Sequence, residues 1–135
     1  MAAREPAHPI EKRDLLHGDP PNRVRIQAIA EGLAAEGRWP EAIDYIEVVG
    51  DDKLLAKAEA DAIAGGTSWL LQQIERISGK KRAPEQWEKL SDAAARAERW
   101  RDAVRALAMA GHPERAEALR LEKCPDYDPF KPLGK

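Results

Sequence analysis

The stretch Ile29-Ala30-Glu31-Gly32-Leu33-Ala34-Ala35-Glu36-Gly37-Arg38-Trp39 recurs 61 positions later as Leu90-Ser91-Asp92-Ala93-Ala94-Ala95-Arg96-Ala97-Glu98-Arg99-Trp100. The match runs on: Pro40-Glu41-Ala42-Ile43 falls on Arg101-Asp102-Ala103-Val104, Ile46 on Leu107, and Gly50 on Gly111. In both copies small and aliphatic residues lead into Arg-Trp, then acid-Ala-aliphatic, and a glycine closes the run. A weaker half-step lies between, because Trp39, Trp69 and Trp100 are spaced by 30 and 31 positions. Apolar residues three and four apart, bounded by glycine, describe helices that stop, turn and restart. The repeat therefore predicts an array of about three helical hairpins of roughly 30 residues, in which stacked neighbours complete a core that no hairpin can bury alone. The tryptophans opening each second helix are expected as wedges, each able to bury ~150–250 Å².

Working outward, seven helices are punctuated. Asn22 caps a first helix carrying Val24, Ile26, Ile29, Ala30 and Leu33, which stops at Gly37. Trp39 with Pro40 opens a second, with Ala42, Ile43 and Ile46 inward as far as Gly50. Asp51 caps a third, which holds Leu54, Leu55, Ala58, Ala62 and Ile63 and breaks at Gly65-Gly66. Thr67 or Ser68 caps a fourth, with Trp69, Leu70, Ile74 and Ile77 inward to Ser78-Gly79. Pro84 starts a fifth (Trp87, Leu90, Ala94, Ala97); a sixth runs from about Arg99 to Ala110; His112-Pro113 restarts a seventh to about Lys123. Residues 1–21 hold four prolines and read as a proline-rich arm that Ile10, Leu15 and Leu16 can anchor. Residues 22–123 form the helical-repeat domain, and residues 124–135 an extended C-terminal tail.

Composition supports this. The chain has 135 residues, room for one domain with a modest core, and its wealth of Ala, Leu, Glu and Arg against 5% aromatics favours helix over strand. Net charge is −2, which argues against a surface built wholly for nucleic acid or an anionic membrane. The charge is polarised: residues 1–67 hold 8 Lys+Arg against 13 Asp+Glu, residues 68–135 hold 14 against 11. Cys124 is the only cysteine, so no intramolecular disulfide or cysteine-rich zinc site can form. No apolar run approaches a membrane span and the N-terminus lacks a signal-like apolar core, so a soluble, cytoplasmic protein without membrane contact is expected.

Gly37-Arg38-Trp39-Pro40-Glu41-Ala42-Ile43-Asp44-Tyr45 resembles the turn and second-helix start of a tetratricopeptide repeat: glycine, an aromatic, acid-Ala-aliphatic, and an aromatic or aliphatic three positions after the alanine. Arg99-Trp100-Arg101-Asp102-Ala103-Val104 with Ala106-Leu107 keeps less of the pattern. The glycines at 50 and 111 fall where the family continues its second helix to a proline, so the hairpins look more like the short, irregular ones of coat and scaffold α-solenoids. The resemblance spans about residues 22–123. It implies an all-α, right-handed α-α superhelix of about three hairpins, flanked by extended tails, with a concave protein-binding groove. The ligand-contacting positions of such arrays vary, so no binding residue is carried over.

Candidate chemistry is sparse. His8 and His17 lie in the arm and His112 at a helix start, in no ligand spacing, which leaves a catalytic triad little to be built from. Asp51-Asp52 suits a helix N-terminus, and Glu117 and Glu122 alternate with cations as a solvated face does. Gly65-Gly66-Thr67-Ser68 lacks the lysine and the preceding strand of a phosphate loop. No catalytic residue, metal ligand or cofactor is assigned. The strongest signal beyond structure is basic: Arg76, Lys80, Lys81 and Arg82, joined by Arg96, Arg99, Arg101 and Arg105. A solvated helix face explains it; otherwise it faces an acidic protein or phosphate, with protein favoured because Asp92, Glu98 and Asp102 interrupt it. In the tail, Tyr127, Phe130 and Leu133 stand three apart among prolines, which suits an extended peptide docking in a groove, a segment folding back on its own domain, or plain disorder.

The expectation is a non-catalytic protein-protein interaction module, a scaffold or adaptor, whose protein partner contacts the helical array and the tail. Its candidate contacts are Arg76, Lys80, Lys81, Arg82, Arg101, Arg105, Tyr127, Phe130 and Leu133. Two alternatives stand beside it. One is a nucleic-acid-binding repeat using the basic face; the other is a self-assembling homo-oligomer joining opposite charges head to tail.

Overall fold

A computed structural model describes Leu16 and residues 22–127, and within them every regular element is a helix. The helices are α1 (Arg23–Ala35), α2 (Trp39–Val49), α3 (Asp52–Gly65), α4 (Ser68–Ser78), α5 (Pro84–Arg96), α6 (Trp100–Met109) and α7 (Pro113–Lys123). The chain divides into two compact units, Met1–Ala58 and Glu59–Lys135, and the division falls inside α3.

The repeat is visible in the turns themselves. After α1, Gly37 takes φ +71°, its N–H donates to the Ala34 carbonyl (3.0 Å), and the Arg38 N–H reaches back to Leu33 (2.9 Å). After α5, Glu98 takes φ 58°, its N–H donates to Ala95 (3.0 Å), and the Arg99 N–H reaches Ala94 (2.8 Å). Both are Schellman caps, which satisfy two orphan carbonyls of the helix end with the next two N–H groups. The α3–α4 turn repeats it, with Gly66 donating to Ile63 and Thr67 to Ala62. So does α6–α7, with Gly111 donating to Ala108 and His112 to Leu107.

These turns reset the half-step register. Arg38, Thr67 and Arg99 are equivalent, so Ser68 and not Trp69 stands where Trp39 and Trp100 stand. A shift of one residue rotates a helical side chain by roughly 100°. Trp69 is accordingly half-buried, whereas Trp39 is buried. The expectation of three equivalent tryptophan wedges fails at Trp100 as well, which is half-buried; the tryptophan most deeply enclosed is Trp87 on α5.

In the first unit α1 packs along α2. Ile26, Ile29, Ala30 and Leu33 meet Trp39, Ala42, Ile43, Tyr45 and Ile46 in its core, and Leu16 in the arm is buried too. Val24, expected on the apolar stripe, is 83% exposed. Asn22 Oδ1 accepts the Arg25 N–H (3.1 Å), and Asp51 Oδ1 accepts those of Lys53 (2.8 Å) and Leu54 (3.1 Å), as the capping residues predict.

In the second unit α6 packs on α5, α7 and α4. Leu70, Leu71, Ile74, Trp87, Leu90, Val104 and Leu107 are buried, as are Ala93, Ala94, Ala103 and Ala106. A small residue is required at the α3–α4 turn. A Cβ on Gly66 would lie 2.5 Å from both the N and Cα of Ala94, so the α3–α4 turn sits on the α5 backbone. Buried Ser91 donates to the Ala103 carbonyl (3.0 Å), tying α5 to α6.

Candidate functional site

The sequence-derived site residues separate into three groups. Phe130 and Leu133 lie outside the described residues. Of the basic loop, Lys80 and Lys81 are exposed, and Arg76 is exposed with its Nε donating to Gln73 (2.9 Å). Arg82 is different: its guanidinium turns inward, with Nε 3.4 Å from Glu59 and an Nη donating to Ser78 (3.2 Å). Glu59 also accepts from Gln86 (2.6 Å), while Glu75 accepts the Arg82 backbone N–H (2.7 Å) and the Trp87 indole N–H (3.3 Å). These bonds fix the α4–α5 loop, and they assign Arg82 a structural task.

The third group is brought together. Tyr127 is half-buried against the Val104, Leu107 and Ala116 core, with Leu119 and Cys124 beside it. Its hydroxyl accepts from Arg105 Nε (3.1 Å), and the Arg101 guanidinium stands over its ring, 5.6 Å from the centroid. A cation over an aromatic face at an exposed position is worth ~0.5–1 kcal/mol. Arg120 completes the arrangement. It donates to both Glu117 oxygens (2.9 and 2.6 Å) and to the carbonyls of Pro125 (2.6 Å) and Tyr127 (3.2 Å). Pairing with Arg120 holds the Glu117 carboxyl below its ordinary range. The start of the tail therefore folds back onto its own domain.

Between this fold-back and the start of α6 lies a cleft of about 540 Å³. Trp100 forms one wall, with Lys123 Nζ over its ring at 4.8 Å. Arg99, Arg101 and Lys123 bring positive charge, and Glu98, Asp102 and Asp126 negative. Asp102 is engaged: its Oδ1 accepts both the N–H (3.0 Å) and the hydroxyl of Ser68, capping α4 from another helix. Neither Thr67 nor Ser68 provides the cap expected locally. Cys124 also lines the cleft; burial pushes its thiol up, against the pull of Arg101 and Arg120, so the nucleophilic thiolate is disfavoured.

His112 occupies the turn before α7 as expected, and its Nε2 pairs with Glu88 on α5 at 2.5 Å, linking α7 to α5. Among the described residues no group of three or more His, Cys, Asp or Glu is placed to hold a metal ion, and no helix is long and apolar enough to cross a membrane. Trp100, Arg120 and Lys123 are the site residues that sequence reasoning missed. Trp100 reads as a core wedge by repeat, and only the packing of α7 on α6 leaves its face beside Lys123. Family models, curated proteins and solved structures return no match to this chain.

Proposed function

We propose that this chain is a non-catalytic protein-binding module, a TPR-like scaffold or adaptor of short helical hairpins, and that the cleft at the start of α6 receives the protein partner. The observation that carries this is the cation–aromatic wall of that cleft: Trp100 under Lys123, Tyr127 under Arg101, and exposed Arg99 beside them. Aromatic and arginine side chains with a low ordering cost are the types that dominate protein interfaces. The repeated hairpins add to it, since arrays of this kind present such surfaces on rigid helices. Protein is favoured over nucleic acid because Glu98 and Asp126 stand among the cations and repel phosphate.

Affinity capture from a native lysate with the wild-type chain and with Trp100→Ala tests this. A protein retained through a high-salt wash by the wild type and lost by Trp100→Ala is expected. Recovery of nucleic acid alone, released by salt, overturns it.

A further inference from the structure

The first helix departs from its own repeat. On α1, Val24, Ala28, Glu31 and Ala35 are spaced four, three and four apart, so they form one stripe along the helix. Val24 is the most exposed large apolar residue among those described, and Glu31 and Ala35 are exposed too. At 61 positions further on, the same stripe of α5 reads Glu85, Lys89, Asp92 and Arg96, all exposed and all charged. The repeat therefore folds with charge at these four places, and packing within a hairpin does not call for the valine and alanines of α1. The order of charge along the helix differs as well. Glu85 opens α5 and Arg96 closes it, which suits the helix dipole. In α1 the first turn carries Arg23 and Arg25 and no acid, the last turn carries no base, and Glu31 and Glu36 stand toward its C-terminus. That order opposes the helix's own dipole and is complementary to an antiparallel copy of itself.

We propose that α1 is a self-association face, through which two copies of the chain pair antiparallel about a two-fold axis near Gln27. An antiparallel pairing sets the basic start of each helix beside the acidic end of the other, whereas a parallel one stacks like charges. A two-fold also closes, because the same stripe supplies both sides of the contact. Arg23 and Glu31 lie four residues either side of Gln27, so each Arg23 meets Glu31 of the second copy. Gln27 donates to Glu31 (2.8 Å) and to Asp51 (2.6 Å), which holds the Glu31 carboxylate in place for that pairing. The stripe borders a groove of about 500 Å³, where Ala28 and, from α2, Val49 offer an apolar lining to the second copy's Val24. Ala28, beside the axis, carries too little side chain to hold the two helices apart. This inference uses no residue of the cleft at α6 and does not rest on its binding role.

Sedimentation equilibrium of the full chain, from micromolar to near-millimolar concentration, tests the pairing. The mass is expected to rise toward that of two chains. Val24→Glu installs the residue type that the second copy of the repeat carries at this place. Its circular dichroism should match the wild type, because Val24 is exposed, and its association should be at least roughly tenfold weaker. Arg23→Glu and Glu31→Arg should each weaken association, since each sets like charges together. An equimolar mixture of those two variants should restore it, since both charge pairs of the mixed dimer are then opposite. A single-chain mass at every concentration overturns the proposal and leaves the stripe to another occupant. Association that Val24→Glu leaves unchanged overturns it too, by placing the contact elsewhere on the chain. A mixture that associates no better than its two components overturns the antiparallel arrangement, and the proposal with it.

Discussion

Replacing Gly66 with alanine probes the contact that seats the α3–α4 turn on α5, and its cost has two parts. Gly66 holds φ +68°, and an L-residue in left-handed conformation costs ~1–2 kcal/mol. The added Cβ would also stand 2.5 Å from the N and Cα of Ala94 and 2.8 Å from its Cβ. These are atoms of a buried helix that cannot swing aside, so the turn or the helix must shift, at ~1–3 kcal/mol for such overpacking. Gly79 separates the two parts. It belongs to the same compact unit and has φ +71°, but a Cβ there meets nothing within 4 Å. Gly79→Ala should therefore cost ~1–2 kcal/mol and Gly66→Ala ~2–5 kcal/mol. Urea unfolding followed by far-ultraviolet circular dichroism measures both, from midpoint and slope. Equal destabilisation by the two substitutions would refute the close approach of the turn to α5.

Four further outcomes follow from the same structure. Glu98 fills the left-handed position that Gly37 fills in the first copy, so Glu98→Gly should stabilise by ~0.5–1 kcal/mol in the same unfolding assay, and a loss of stability would contradict it. Asp102→Ala removes the cap on Ser68 and should cost ~0.5–2 kcal/mol, while Thr67→Ala, whose side chain makes no cap, should cost less. The Asp51 carboxyl lies below its ordinary pKa of 3.8, because Gln27 donates to it and the Leu54 and Lys53 N–H groups add to the effect. Its folded-state pKa is thus the lower one, so its stabilising contribution is complete above that ordinary value and disappears as pH falls through the folded pKa. Gln27→Leu should move the carboxyl titration seen by carbon NMR upward, and an unmoved curve would remove Gln27 as the leading cause. Cys124 should react with a disulfide reagent near pH 8 more slowly than free cysteine, and Tyr127→Ala should speed it by uncovering the thiol.

The features legible in the sequence are those with local causes. Asn22 and Asp51 cap the helices that follow them because a side-chain oxygen reaches an N–H two or three residues on. Glycines at 37, 50, 66, 79 and 111 all take positive φ at helix ends, and Pro40, Pro84 and Pro113 all stand in first turns. What stayed hidden depends on partners distant in sequence. Asp102 caps a helix that starts 34 residues earlier, and Arg82 leaves an apparently basic loop to meet Glu59. Trp69 matched the tryptophan spacing yet sits one position off the register set by the turns. A repeated residue type fixes helix order, but the hydrogen bonds of the turn fix which face it occupies. Of the candidate site, Arg101, Arg105 and Tyr127 were readable as residues, whereas their convergence required α6 to pack against α7 and the tail to turn back.

Amide hydrogen exchange of the chain, alone and with the protein it captures, bears most directly on the role of the cleft. Added protection is expected at residues 98–103 and 123–127, with little change in the Lys80-Lys81 loop. Protection confined to that loop, or to residues 22–50, would contradict the assignment of the partner to the Trp100 cleft.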